Sequence, residues 1–345
     1  MNNNSNTSMH AYCASSSCLF STASQYIIIS ILFLLFIASL VGNVLILVLL
    51  YKDRQLRARS SPSHISLAIA DLLATIFWLP FLVSDLYIAE KWVFGYASCK
   101  VVSFFQTIAI PSSTLNLCIV TSECFAAVWF PIFLKVLPRK RTILITSCAV
   151  VWFVAFVGSL FYVPFKNIKT YDGVDYCVET FPDETTKNIY IYTNSSLFGF
   201  GPLIVITVLN ILCIYRLCQT NSLVSSRRHS LSGTYTRSAI KKIITISLIF
   251  VICRGPLHIL ELAMMSDDVQ YHLAYKRPKV SISLFTSCIG LYFFSAATHP
   301  VLFGLMSVYY REAFIRNCPC YTIPRRRRTS STKTAQTSKV LETML

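Results

Sequence analysis

Long apolar stretches separated by short polar segments set the pattern of this chain. Seven stretches are each at least about 20 residues long, which is enough for an α-helix to cross the roughly 30 Å core of a bilayer. They occupy residues 26–51, 63–89, 99–131, 142–164, 189–218, 240–265 and 280–308. The pattern predicts an all-α membrane protein whose residues 26–308 form a seven-transmembrane helix bundle.

The segments on either side of the predicted bundle are polar. Residues 1–25 carry no charged side chain and are predicted to be an extracellular segment. Residues 309–320 contain the sequence Arg-Glu-Ala-Phe, which favours a short amphipathic eighth helix on the membrane surface. Cys318 and Cys320 are candidate palmitoylation sites that would anchor it. Residues 321–345 are basic, then Ser/Thr-rich, and are predicted to be a disordered cytoplasmic tail.

Composition and charge agree with a membrane protein. Only 13% of the residues are charged while 54% are hydrophobic, and the mean hydropathy is +0.57. The net charge is +16, but the basic residues cluster after the first, third and fifth stretches and in the tail. Most of the acids lie in the opposite loops. This is the positive-inside pattern, which predicts a plasma-membrane protein with an extracellular N-terminus and a cytoplasmic C-terminus. The basic charge then faces anionic lipid and cytosolic partners rather than nucleic acid.

Thirteen cysteines are present, and most lie in the apolar stretches as small packing residues. Cys99, at the outer end of the third stretch, and Cys177, in the second outer loop, share the oxidising side and are predicted to form a disulfide. Cys13 and Cys18 are also on that side, and the sequence leaves open whether they pair.

Two further sequence patterns predict modification and binding outside the bundle. Asn3 and Asn6 begin Asn-x-Ser/Thr sequons in the predicted extracellular segment and are candidate glycosylation sites. The final residues Glu-Thr-Met-Leu match the C-terminal ligand of PDZ domains, with Thr343 and Leu345 at the specificity positions. A PDZ scaffold protein is therefore a predicted partner.

A series of landmarks, one or more in nearly every helix, resembles the rhodopsin-like (class A) G-protein-coupled receptors over residues 26–314. The landmarks are Gly42-Asn43, Leu67-Ala68-x-Ala70-Asp71, Trp152, Pro202, Phe250-x-x-Cys253-x-x-Pro256, His299-Pro300-x-x-Phe303 and Tyr310-Arg311-Glu312-Ala313-Phe314. An ionisable group near mid-membrane, such as Asp71, is functional by default. The prolines each remove a backbone hydrogen bond and are expected to bend a helix.

The resemblance implies that a ligand binds in the outer half of the bundle. Receptors for biogenic amines carry an aspartate where this chain has Gln106, and opsins carry a lysine in the seventh helix where this chain has none. The second outer loop reads as a β-hairpin, and its Cys-x-Glu-x-aromatic-Pro sequence resembles that of neuropeptide receptors. With three lysines and five acids it would steer in a basic peptide. The predicted ligand-binding residues are Gln106, Ile110, Glu179, His258, Glu261 and Tyr292.

The positions that switch the family between states are unusual in this chain. Glu123-Cys124-Phe125 stands in place of Asp/Glu-Arg-Tyr, and His299-Pro300-x-x-Phe303 in place of Asn-Pro-x-x-Tyr. A tyrosine is replaced by Asn210 and a tryptophan by Arg254. The predicted switch residues are Asp71, Ser113, Glu123, Cys124, Asn210, Phe250, Arg254, Pro256, Ser295, His299, Pro300 and Phe303.

Two of these positions carry specific expectations. Asp71 is expected beside Ser113, Ser295 and His299, at the place where relatives hold a sodium ion, with the imidazole supplying the positive charge instead. Glu123 lacks its usual arginine, so it is expected to be solvated, to pair with a basic residue such as Arg139 or Lys140, or to be protonated.

Three functions remain open at this stage. The first is a peptide-activated receptor coupling to a G protein. The second, with the same fold, is an atypical receptor that scavenges its ligand or signals through arrestin alone. The third is a transporter or channel, but the internal repeats typical of transporters are not apparent. No nucleophile–base set or metal-ligand spacing appears, so neither an enzyme nor a cofactor or metal site is predicted.

Overall fold

The structure is a computed structural model that describes residues 19–171, 173–225, 245, 249–264, 269, 276–306 and 308–317. Several predicted features lie outside these residues. They are the glycosylation sites Asn3 and Asn6, the pair Cys13 and Cys18, the palmitoylation sites Cys318 and Cys320, and the PDZ ligand with Thr343 and Leu345.

The described part of the chain is almost entirely helical. Its main helices are α1 (Thr22–Lys52), α2 (Pro62–Val83, continued by a π-helical turn at Ser84–Ile88), α3 (Gly95–Trp129), α4 (Lys140–Tyr162), α5 (Glu184–Asn194, a π-helical turn at Ser195–Phe200, then Gly201–Ser225), α6 (249–263), α7 (Pro278–Met306) and α8 (Val308–Asn317). Short helices at Arg54–Arg59 and Pro131–Val136 follow α1 and α3. The sequence prediction of a seven-helix bundle with a short eighth helix is confirmed.

Length and composition suit these helices to a bilayer. Among the described residues, six helices (α1 to α5 and α7) are long and apolar enough to cross a membrane. The described residues of α6 lie within the sixth apolar stretch of the sequence. Large apolar side chains are exposed on the outer faces of the helices, for example Phe33 and Leu34 on α1 and Phe153 on α4. Such surfaces suit lipid rather than water.

The helix boundaries follow from local capping. Ser61 caps α2 by accepting from the backbone N–H of Ser63 at 3.4 Å, and Pro62 suits the first helical position. Asp183 caps α5 by accepting from the N–H of Thr186 at 2.7 Å. The helix therefore starts at Glu184, earlier than the apolar pattern alone predicts. The polar first turn of α5 therefore lies outside its apolar stretch.

Helix α3 is the centre of the bundle, since it packs against α2, α4 and α5. Helix α1 packs against α2 and α7. The contact between α1 and α7 depends on Gly42, because a Cβ there would lie 2.9 Å from the Cγ of Pro300. At this position any larger residue would push the two helices apart.

A β-hairpin lies at one end of the bundle and is tied to α3. Strands β1 (Lys166–Tyr171) and β2 (Val174–Glu179) pair in antiparallel fashion, with Ile168 opposite Cys177. Cys177 forms a disulfide with Cys99 in the first turns of α3, with 5.7 Å between the Cα atoms. Both the predicted hairpin and the predicted disulfide are confirmed. We call this the hairpin end of the bundle, and the other the opposite end.

Candidate ligand cavity and switch residues

A cavity of about 340 Å³ opens beneath the hairpin. Five of the six predicted ligand residues line it: Gln106, Ile110, Glu179, His258 and Glu261. Lining residues that were not predicted include Tyr162, Lys166, Tyr190 and Asn194. The cavity is therefore lined by residues of helices α2 to α7 and of both strands of the hairpin.

One wall of the cavity holds a charged and aromatic group around Glu179. Its carboxylate accepts a hydrogen bond from the hydroxyl of Tyr162 and pairs with the Nζ of Lys166 at 3.1 Å. The ring of Tyr162 stacks on that of Tyr190, with centroids 4.9 Å apart. Lys166 also lies 5.6 Å from the centre of the Tyr162 ring. The negative charge of Glu179 is thus balanced within the protein.

A second acid of the lining, Glu261, has an imidazole as its partner. The Nδ1 of His258 lies 3.1 Å from a carboxylate oxygen of Glu261, and the side chain of Glu261 is 37% exposed. The imidazole has room because residue 199 is glycine, where a Cβ would lie 2.8 Å from the His258 ring. Glu261 therefore adds a second, partly exposed carboxylate to the cavity lining.

An apolar cavity of the same size, about 340 Å³, adjoins the first. Its lining is Leu86, Leu257, Leu260, Glu261, Met264, Ser281, Ile282 and Phe285. Leu257, Glu261 and Phe285 line both cavities. Glu261 therefore stands at the junction between a polar and an apolar compartment.

Two predicted ligand residues differ in their surroundings. Gln106 lines the cavity, and its side-chain nitrogen donates to the backbone carbonyl of Phe77 at 3.0 Å, which fixes the amide against α2. Tyr292 does not line the cavity. Its ring is 1% exposed and packs against Trp78 and Phe293 deeper in the bundle. The structure does not bring Tyr292 into the lining with the other five residues, and its contact with a ligand stays a prediction.

Below the cavity, the predicted switch residues form a buried polar cluster. Asp71 is fully buried; its Oδ1 accepts from the hydroxyl of Ser113 at 2.6 Å. Its Oδ2 accepts from the Nδ1 of His299 at 2.7 Å. The other imidazole nitrogen lies 3.5 Å from the hydroxyl of Ser295. Residues of α2, α3 and α7 thus meet at one carboxylate.

Arg254 of α6 also joins this cluster. It was among the predicted switch residues, but its contacts with Ser113 and Thr114 were not predicted. Its Nη2 donates to the Ser113 hydroxyl at 2.8 Å and its Nη1 to the Thr114 hydroxyl at 2.9 Å. The guanidinium lies 4.3 Å from the centre of the Tyr292 ring, a cation–π contact. The clue in the sequence was an arginine within an apolar stretch, because such a residue needs a buried partner.

Glu123, at the opposite end of the bundle, has hydrogen-bond partners that were not predicted. Its carboxylate accepts a hydrogen bond from Ser61 at 2.7 Å and another from Ser63. These serines form the first turn of α2, where the helix dipole also favours negative charge. Neither Arg139 nor Lys140 forms an ion pair with Glu123. The neighbouring Cys124 is half-buried and makes no disulfide within the described residues.

The remaining switch residues are spread along the bundle. Phe250 is buried against Leu117 and Ile206, with its ring 6.0 Å from the Arg254 guanidinium. Asn210 is buried on α5, and Pro256 lies within α6. Pro300 packs against Gly42. The side chain of Phe303 is outside the described part of the structure.

A helical bundle with a hairpin-covered cavity and a polar core is the arrangement of a membrane receptor. The family model described as "7 transmembrane receptor (rhodopsin family)" matches residues 42–303. The chain therefore belongs to the rhodopsin family of seven-transmembrane receptors. Members of this family are receptors, so the predictions of a multi-pass membrane receptor and of a protein that is not an enzyme are confirmed.

Individual relatives are also similar to this chain over most of its length. A QRFP-like peptide receptor from Branchiostoma floridae is 28% identical, over 83% of this chain and 76% of the relative. Galanin receptor 2b from Danio rerio is 24% identical, over 85% and 75%. Neuromedin-U receptor 2 from Mus musculus is 27% identical, over 81% and 72%. The resemblance to neuropeptide receptors is confirmed.

Proposed function

We propose that this protein is a cell-surface receptor for a peptide, with the hairpin end outside the cell. The cavity between the hairpin and the helices is the observation that carries the proposal, since its lining combines acids and aromatic rings. The names of the relatives, which include receptors for peptides, support the same ligand class. The positive-inside distribution of charge supports an extracellular hairpin and a cytoplasmic C-terminus.

The ligand's contact group is a basic side chain bound at Glu261. Lys166 already pairs with Glu179 at 3.1 Å. Among the described residues, Glu261 has no lysine or arginine within ion-pair distance, and it lies beside His258 and is partly exposed. A guanidinium or ammonium group at Glu261 would gain a charge-assisted hydrogen bond. The adjoining apolar compartment suits a large apolar side chain next to that basic residue in the peptide.

The test is a panel of peptides applied to cells that express the full-length receptor, followed by substitution. For the peptide that activates it, Glu261→Gln should weaken binding by about 10- to 100-fold, the equivalent of about 1.5–3 kcal/mol for a hydrogen bond to a charged group. Glu184→Gln is the matched control, because Glu184 lies at the same end, exposed and paired with Lys187 at 3.3 Å. Equal loss in both variants, or none in Glu261→Gln, would refute the assignment.

On the cytoplasmic side we propose conventional coupling to a G protein. Helix α8 is present, and Glu123 is held by the hydroxyls of Ser61 and Ser63. The second candidate is a receptor that binds ligand and recruits arrestin without activating a G protein. The cysteine at position 124 favours that candidate, because a thiol cannot supply the contacts of an arginine. Measuring second messengers and arrestin recruitment in the same transfected cells distinguishes the two.

A further inference from the structure

Arg254 places a permanent positive charge in the interior of the bundle. The side chain is 1% exposed, and a guanidinium in a protein cannot lose its proton. A charge at membrane depth is costly unless an opposite charge and hydrogen-bond acceptors surround it. Among the described residues, the acid in reach is Asp71, whose Oδ1 lies 3.8 Å from the Nη2 of Arg254.

A hydroxyl completes the connection between the two charges. Ser113 donates its proton to Asp71 at 2.6 Å, so its oxygen must act as acceptor for the Nη2 of Arg254 at 2.8 Å. Thr114 is oriented in the same way, because its hydroxyl donates to the carbonyl of Ile110 at 3.2 Å and accepts from Nη1. The two hydroxyls therefore each have one consistent role, while the Nε of Arg254 makes no hydrogen bond within the described residues.

The resemblance to the family raises the question of a sodium ion at Asp71, and the residues here do not fit one. A hard cation takes oxygen ligands, but both carboxylate oxygens of Asp71 already accept from Ser113 and His299. A sodium ion bound to Oδ1 would also lie close to the guanidinium of Arg254, which would repel it.

We propose that Arg254 is the built-in cation of this receptor core and takes the place of an inorganic ion. Its charge balances that of Asp71, so His299 is needed only as a hydrogen-bond partner of Asp71 and not as its counter-charge. Because the cation is covalently part of α6, it ties that helix to α3 directly and to α2 through Asp71. The core is consequently insensitive to sodium.

The first experiment needs no ligand. The full-length receptor is purified in detergent, and its Tm is measured in increasing NaCl and, at equal ionic strength, in choline chloride. The expected result is the same Tm in both salts at every concentration. A saturable rise of Tm with sodium but not choline would overturn the proposal, whether or not any variant folds.

The second experiment removes the internal cation. Arg254→Met keeps an unbranched apolar stem but removes the guanidinium and leaves the Asp71 charge uncompensated, so the variant should have a lower Tm and gain a saturable, sodium-specific Tm rise. Arg254→Lys retains a charge and should remain insensitive. Arg216→Met removes an exposed arginine that stacks on Trp129, 5.3 Å from its centroid, and serves as the control. A folded Arg254→Met receptor with equal Tm in both salts would show that Arg254 does not act as the cation.

Discussion

Two acids of the bundle, Asp71 and Glu123, are held in different ways. Asp71 is fully buried between α2, α3 and α7, with the guanidinium of Arg254 at 3.8 Å. Glu123 lies near the opposite end. Its hydrogen-bond donors within the described residues are the hydroxyls of Ser61, the N-cap of α2, and of Ser63 in the first turn of that helix. The Asp71 carboxylate thus has a positively charged partner, whereas the Glu123 carboxylate has neutral hydroxyl donors at the N-terminus of a helix.

Substitutions at the two sites should therefore remove different kinds of interaction. Breaking an ion pair in the core leaves the surviving charge buried without a partner, which costs several kcal/mol. Removing the hydroxyl of Ser61 or of Ser63 leaves no charged group without its partner, because the Glu123 carboxylate keeps the other hydroxyl as a donor. We therefore expect the core cluster to govern stability and the Glu123 site to govern the smaller energies that separate receptor states.

The largest effect should come from Asp71→Asn. The substitution keeps the size of the side chain but strands the Arg254 guanidinium, so the free energy of unfolding should fall by about 3–5 kcal/mol. The measurement is thermal unfolding of the purified receptor. The double variant Asp71→Asn with Arg254→Met should recover part of the loss, because it leaves no unpaired charge. Additive losses in the double variant would argue against coupling between these residues.

A smaller effect is expected from Ser63→Ala at the other acid. Ser63 is fully buried and donates to Glu123, so losing this contact should cost about 1–2 kcal/mol. Since the contact ties α3 to α2, we also expect raised basal second-messenger activity at matched surface expression. Ser147→Ala is the control, because its hydroxyl is exposed and donates to the Ile143 carbonyl on the same helix. Basal signalling unchanged from wild type would mean that this contact does not hold the resting state.

The features predictable from the sequence are those set by local pattern. Length and hydropathy located the spanning helices, and the charges and turn residues of the second outer loop placed the hairpin and the Cys99–Cys177 pair. The contacts of Asp71 with Ser113 and His299 also match the expectation. Each of these features follows from a local sequence pattern or from residues at similar depths on neighbouring helices.

The features that were missed depend on how helices rotate against each other. That Arg254 reaches across to Ser113 follows only from the orientation of α6, which no local pattern specifies. Glu123 was expected to pair with a basic residue such as Arg139 or Lys140, to be solvated or to be protonated. Lys140 acts on it only through a longer-range attraction, and the hydroxyls of Ser61 and Ser63 were not predicted because they carry no charge. Tyr292 was expected in the cavity lining but is buried behind it, with its ring against Trp78.

Cys124→Arg tests whether the lost arginine can be restored. The new guanidinium would adjoin Glu123 and compete with Ser61 and Ser63 for its carboxylate, with a gain of about 0–1 kcal/mol, as is usual for ion pairs in contact with water. We expect a modest decrease in basal activity and altered agonist-driven signal at matched expression. Cys124→Lys, which lacks the planar fork of donors, should have less effect. If neither signal changes in Cys124→Arg, position 124 no longer controls activity.

An effect of similar size is expected at a third acid, Asp53, which lies at the opposite end with its side chain 8% exposed. The backbone N–H of Leu56 at 2.9 Å lowers the pKa of this carboxyl, and Arg316 of α8, at 2.5 Å, lowers it further. A folded-state pKa below the unfolded value of about 3.9 stabilises the protein above that pH, and the contribution is lost as the pH falls through the folded-state pKa.

Asp53→Asn separates the charge from the cap. Asparagine also caps helices well, so the short helix Arg54–Arg59 should persist while the ion pair with Arg316 is lost. Because Arg316 is 47% exposed, solvent screens the pair, and we expect a loss of about 0.5–1 kcal/mol at pH 7. The difference from wild type should shrink as the pH drops below about 4, in thermal unfolding at each pH. Arg316→Gln should reproduce the loss at pH 7, and a pH-independent difference would mean that the Asp53 charge is not responsible.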